Sequence, residues 1–157
     1  MQWITLSGLP LAAQLVAVRR FAADPHFGVR EFAWMAVRDS VIDSLDEALA
    51  LLQPWVTDAD PNVRRFASEL TRPRGVWCAQ IETLKAEPWL ALPLLEPLRA
   101  DAHRYVQNSV ANWLNDASKT QPEWVETLCT RWVAESPTAE TRYIAKRALR
   151  TLTKSTP

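Results

Sequence analysis

The chain has 157 residues, 48% of them hydrophobic, with only three glycines and a formal net charge of zero. A chain of this size buries roughly 70% of its unfolded surface, and its composition is too apolar and too poor in glycine for a disordered segment. Zero net charge excludes uniform electrostatic attraction to nucleic acid, and two isolated cysteines without a CxxC or Cys/His cluster give no zinc site.

From the N-terminus, the apolar run LPLAAQLVAV is too short to span a membrane and lacks a basic leader, so no signal peptide is expected. Helical periodicity follows along the whole chain, with almost no strand alternation. It predicts helices near 9–23, 26–39, 43–57, 61–71, 75–85, 88–99, 102–119, 122–135 and 138–153. Prolines fall at the predicted starts, at Pro10, Pro25, Pro61, Pro88, Pro122 and Pro137. There the missing N–H costs nothing. Asp24 and Asp60 precede two of these prolines and are the expected N-caps. Cys78 and Cys129 read as buried, reduced thiols of a cytoplasmic protein.

A weak repeat runs through these helices. DPHFGVREFA from Asp24, DPNVRRFA from Asp60, DAHRYVQNSVA from Asp101 and TAETRYIAKRA from Thr138 align on Val29, Val63, Val106 and Ile144, which are 34, 43 and 38 positions apart. Helix pairs at about this period mark HEAT or armadillo solenoids, in which stacking neighbours create the core. The expected fold is therefore all-α: a HEAT-like solenoid of about four helix pairs, one domain over residues 1–157.

Helical wheels separate the faces. Val63, Phe66, Ala67 and Leu70 point inward, while Asn62, Arg65, Glu69 and Arg72 form a polar stripe. In the third copy Val106, Val110, Trp113, Leu114 and Ala117 are core, and Arg104, Asn108, Asn112, Asn115, Asp116 and Lys119 lie opposite. In the first copy the same register puts Val29, Phe32, Ala33 and Ala36 inside and Glu31, Trp34 and Arg38 outside. In the last, Arg142, Lys146, Arg150 and Lys154 recur every four residues. Stacked repeats would merge these stripes into one groove. Charge is also segregated: six acids and no base between Asp39 and Asp60, five bases against one acid between Thr138 and Lys154.

VRRFASELTRPRGVW, YVQNSVANWLNDASK and YIAKRALRTL together resemble the AlkC/AlkD-type HEAT-like-repeat DNA alkylation repair glycosylases, and most closely their AlkC branch, over roughly Ala22 to Lys154. The resemblance implies a protein that cradles double-stranded DNA in its concave face and excises cationic alkylated bases, as a monomer without metal or cofactor. On the matching positions it implies catalytic carboxylates at Asp116 (the LND motif), Glu69 (the ASEG-type motif) and, more loosely aligned, Glu31. Trp77 and Asn112 would contact the lesion or its sugar. Arg65, Arg72, Arg74, Arg104, Asn108, Lys119, Arg147 and Arg150 would hold the DNA backbone. The chain departs from the pattern at Leu70, Gly75–Val76 and Trp113, and has Gln107 and Asn108 where the family usually carries two arginines. Two readings stand beside it: a non-catalytic relative that binds unusual or branched DNA, and a HEAT protein-interaction module.

Overall fold

The computed structural model describes residue 6, residues 8–75 and residues 78–154. The described secondary structure is helical throughout: α1 (Leu11–Ala22), α2 (Phe27–Asp43), α3 (Leu45–Leu52), α4 (Pro61–Leu70), α5 (Glu82–Ala86), α6 (Leu92–Leu95), α7 (Arg104–Ser118), α8 (Pro122–Glu135), α9 (Ala139–Ala148) and α10 (Arg150–Lys154). Short 3-10 turns extend α3 through Gln53–Thr57 and flank α6 at Pro88–Ala91 and Glu96–Leu98. The three prolines Pro88, Pro93 and Pro97 break the predicted 88–99 helix into these short turns.

The four repeat copies are α2, α4, α7 and α9. They stack in that order: α2 on α4, α4 on α7, α7 on α9. Each has a partner from the preceding chain: α1 packs on α2, the Gln53–Thr57 turn on α4, the Glu96–Leu98 turn on α7, and α8 on α9. One apolar cluster runs through all four pairs, from Leu15 and Val37 past Leu52, Leu70 and Leu95 to Trp113, Trp132 and Ile144. This is the repeat logic realised, since none of these helices closes a core alone.

The same local device opens successive copies. Asp60 caps α4, its Oδ1 accepting the Asn62 N–H at 2.8 Å, with Pro61 in the first turn. The residue after the aligned valine then folds back onto the preceding loop. Arg30 donates to the carbonyls of Asp24 and Pro25, Arg64 to those of Asp58 and Ala59, and Gln107 to that of Asp101. Gln107 is buried, so the substitution of an arginine there leaves a loop clamp and not a gap in the groove.

Four expectations are corrected. Helix α2 starts at Phe27 and is capped by His26, whose Nδ1 accepts from Gly28; Asp24 instead accepts the His26 N–H, one step earlier. The predicted 75–85 helix is a loop through the described part of that segment, with α5 only at its end. Pro73 blocks continuation from α4, and the loop is held from outside by Arg38. Cys78 is half-buried, whereas Cys129 is buried as expected. The register of the first copy is also rotated. Phe32 is 67% exposed, Ala36 is exposed and Val29 only half-buried, while Ala33, Trp34, Val37, Arg38 and Val41 face inward. Trp34 and Arg38 can bury their stems because their polar tips are satisfied: the Trp34 indole N–H donates to Glu31 Oε2 at 2.9 Å, and the Arg38 guanidinium meets three carbonyls.

Candidate active site

The polar stripes of α4 and α7 meet where these helices pack. Glu69 is on the last turn of α4, and Asp116 near the end of α7; each residue is only 4% exposed. Arg72, just past α4, lies between them. Its Nε donates to Asp116 Oδ2 at 2.9 Å and its Nη2 to Oδ1 at 3.3 Å, while Nη1 stands 3.5 Å from Glu69 Oε2. A planar guanidinium suits such a fork, and a second cation completes the row. Arg65 Nη2 is 3.6 Å from Glu69 Oε1. Its guanidinium stacks 3.9 Å from the centre of the Tyr105 ring and donates to the Tyr105 carbonyl at 2.7 Å. Ser109 donates to Glu69 Oε1 at 2.8 Å, and Ser68 Oγ lies 2.6 Å from Ser109 Oγ. Charges therefore alternate along the seam: Arg65, Glu69, Arg72, Asp116.

Burial pushes the Asp116 carboxyl above the ordinary aspartate range, although the hydrogen bond and charge of Arg72 pull the other way. Burial works against the Arg72 cation too, but Asp116 and Glu69 more than offset it and raise its pKa. Two carboxylates are thus held in fixed places along a row whose charges balance, and a fixed carboxylate can stabilise positive charge appearing beside it. Among the described residues no group of three or more His, Cys, Asp and Glu side chains comes together as a metal site.

Glu31 joins Glu69 in a small cleft lined also by Arg30, Trp34, Arg65 and Tyr105. Asn112 is turned to the last repeat, its Oδ1 accepting from Arg150 Nη2 at 3.1 Å. Asn108 accepts from the Tyr143 hydroxyl at 2.7 Å, and Arg104 stacks 3.5 Å from the centre of the Tyr143 ring. Lys119 and Arg147 are exposed, and Arg74 half-buried with its Nε unpaired. Asn115, counted among the groove residues, is buried and holds the Ala148 carbonyl and Thr151. Trp77 lies outside the described residues.

Sequence reasoning missed Tyr105, Tyr143 and Ser109. The tyrosines carried a signal: each precedes the aligned apolar residue of its copy, Val106 or Ile144, so one repeat places both on the same face. Each is covered by an arginine of the preceding repeat, Arg65 or Arg104. Ser109 carried none, because its partner Glu69 is 40 residues away.

Stacked helix pairs with paired carboxylates and stacked arginines on one seam define a helical-repeat protein with a charged, built site. The chain matches the family model described as DNA alkylation repair enzyme over residues 28–152, and it belongs to that family. It is 37% identical over 138 residues to the uncharacterized protein YhaZ of Bacillus subtilis (strain 168), an alignment covering 88% of this chain and 37% of that protein. It is similar in structure to the Pseudomonas fluorescens alkylpurine DNA glycosylase AlkC bound to DNA containing an abasic site analog, with a TM-score of 0.73 and 35% identity over 92% of this chain and 42% of that one. The chain thus spans about two-fifths of the length of both relatives.

Proposed function

We propose that the chain acts as a DNA alkylation repair glycosylase, releasing cationic N3- or N7-alkylated bases from duplex DNA laid along α2, α4, α7 and α9. The observation that carries this reading is the buried Glu69–Arg72–Asp116 bridge, placed on the seam by residues that the family resemblance singled out. Alkylation leaves the base positively charged, so it departs neutral with the electrons of the glycosidic C–N bond, and no metal or cofactor is needed. The sugar becomes oxocarbenium-like. Asp116 and Glu69 stabilise that developing charge more than the ground state, and Asp116 orients the water that adds to the sugar and loses a proton to solvent. Glu31 adds a third carboxylate across the cleft. Trp77 would offer a face to the cationic centre, worth about 0.5–2 kcal/mol. Asn112 acts through Arg150, which it holds. The protein works as a monomer in the cytoplasm, where its DNA substrate lies. The alternative, a DNA-binding relative without turnover, is favoured only by the tight pairing of both carboxylates with Arg72.

Backbone contact falls most directly on the exposed bases Arg104, Lys119 and Arg147, with Asn108, Arg74 and Arg150 beside them. Arg65 and Arg72 meet phosphate with donors that Glu69, Tyr105 and Asp116 do not use. Neutralising Arg147 should lower the slope of log affinity against log salt by about 0.9, without changing sequence preference. Fluorescence anisotropy over a salt series measures this; an unchanged slope would make that stripe solvated surface.

The pH dependence has a definite sign. Asp116 must be ionised to act, and burial raises its pKa in the folded protein. Base release, corrected for spontaneous loss, should therefore fall on acidification at a pH above that of an exposed aspartate, about 3.9. An acid limb at or below that value would assign the essential carboxylate elsewhere.

A further inference from the structure

Arg38 was expected on the polar outside of α2, yet it is 1% exposed and makes no contact that the reaction requires of it. Its guanidinium instead gathers the loop after α4. Nη1 donates to the Leu70 carbonyl at 2.9 Å, Nη2 to the Arg72 carbonyl at 2.7 Å and Nε to the Ala79 carbonyl at 3.0 Å. The carbonyls of the last helical turn lack intrahelical partners, and a cation there also suits the helix dipole. The Ile81 N–H closes the loop on the Pro73 carbonyl at 2.9 Å. Gly75 folds against the same guanidinium: a Cβ there would stand 3.4 Å from Arg38 Nη2 and 1.8 Å from Cys78 Sγ. The absence of a side chain at Gly75 is thus what allows the thiol and the loop to close over Arg38.

The middle acceptor of Arg38 is the backbone of the residue whose side chain bridges the two carboxylates. We infer that Arg38 is the positioning residue of the site, setting the backbone of Arg72 so that its guanidinium reaches Asp116 and Glu69 together. Lysine preserves the charge of Arg38 but has one nitrogen in place of three, and cannot hold carbonyls on both limbs of the loop. Asp116 is faced by Arg72, Cys78 and the backbone N–H of Arg74 from that loop, Arg38 from α2, Glu69 across Arg72, Lys119 just past its own helix and Arg150 from α10. Among these, the contacts that depend on Arg38 geometry are the Arg72 fork and the Arg74 N–H, both on the loop it holds; both favour the ionised carboxylate.

The catalytic consequence rests on the proposed glycosylase reading; the geometric one does not. The test uses the whole chain with Arg38→Lys and Arg38→Met, helicity being checked by circular dichroism. Titration of the Asp116 carboxyl by 13C NMR should show its midpoint moving upward in the folded Arg38→Lys protein as the fork loosens. On methylated duplex DNA, kcat should fall by about tenfold or more while KM changes by less than about threefold, since displacement of a reacting group costs rate more than binding. A folded Arg38→Lys protein with the Asp116 midpoint and kcat of the wild type would overturn the inference, and an unchanged midpoint in Arg38→Met would do the same. If the wild type releases no base, the glycosylase reading fails, and the titration alone still decides the role of Arg38.

Discussion

Asp116→Asn protein is expected to fold, to bind duplex DNA and to lose about 100-fold or more of its base release, equivalent to roughly 2.7 kcal/mol of transition-state stabilisation. The change is nearly isosteric; it removes the charge and replaces one acceptor oxygen with an NH2 donor, so one arm of the Arg72 fork is lost with it. Arg72 keeps Glu69 at 3.5 Å and its side chain retains 18% exposure, so the orphaned guanidinium has a partner and some solvent. Truncation to alanine would be a poorer test, because it opens space and leaves a buried cation less supported. Single-turnover release from methylated duplex, compared with thermal melting of the two proteins, separates catalysis from stability. Glu69→Gln should weaken turnover in the same direction and cost more stability, since Arg65, Arg72 and Ser109 all turn toward that carboxylate.

The largest effect on stability is expected at Trp113. It is 0% exposed, and its indole N–H donates to Thr71 Oγ1 at 3.1 Å, tying α7 to the residue that ends α4. Trp113→Ala removes this bond and leaves a large cavity, so about 3–5 kcal/mol should be lost. Urea denaturation with an unchanged slope would report it. Trp113→Phe keeps most of the volume and should lose markedly less. A loss below about 1 kcal/mol for the alanine variant would mean that the helix interface repacks freely. Because Thr71 directly precedes Arg72, the damage should reach the carboxylate bridge as well.

The wheels of α4 and α7 were legible because apolar residues there recur at steps of three and four, and all nine residues assigned inward are buried. The same rule misread α2. It sorts residues by polarity, and Trp34 and Arg38 are polar only at tips whose partners come from elsewhere, Glu31 in one case and the far loop in the other. The loop after α4 was misread for a related reason. Its backbone is claimed from elsewhere: the Arg72 and Ala79 carbonyls, with that of Leu70 at the end of α4, belong to an arginine more than thirty residues earlier in the chain. Glu69 and Asp116 could be named from the motifs. What joins them could not: the Arg72–Asp116 fork spans 44 residues of chain and exists only after α4 packs on α7. A stripe of arginines read as phosphate ligands thus contains, in Arg72, the residue that ties the two carboxylates together.

The most direct measurement of the account is base release by the wild-type chain from duplex DNA carrying N3- and N7-methylated purines, beside the same duplex carrying uracil. The account predicts release of the cationic bases, none of uracil, and loss of that release in Asp116→Asn. Binding of the duplex without release of any methylated base, or equal release by Asp116→Asn protein, would contradict it.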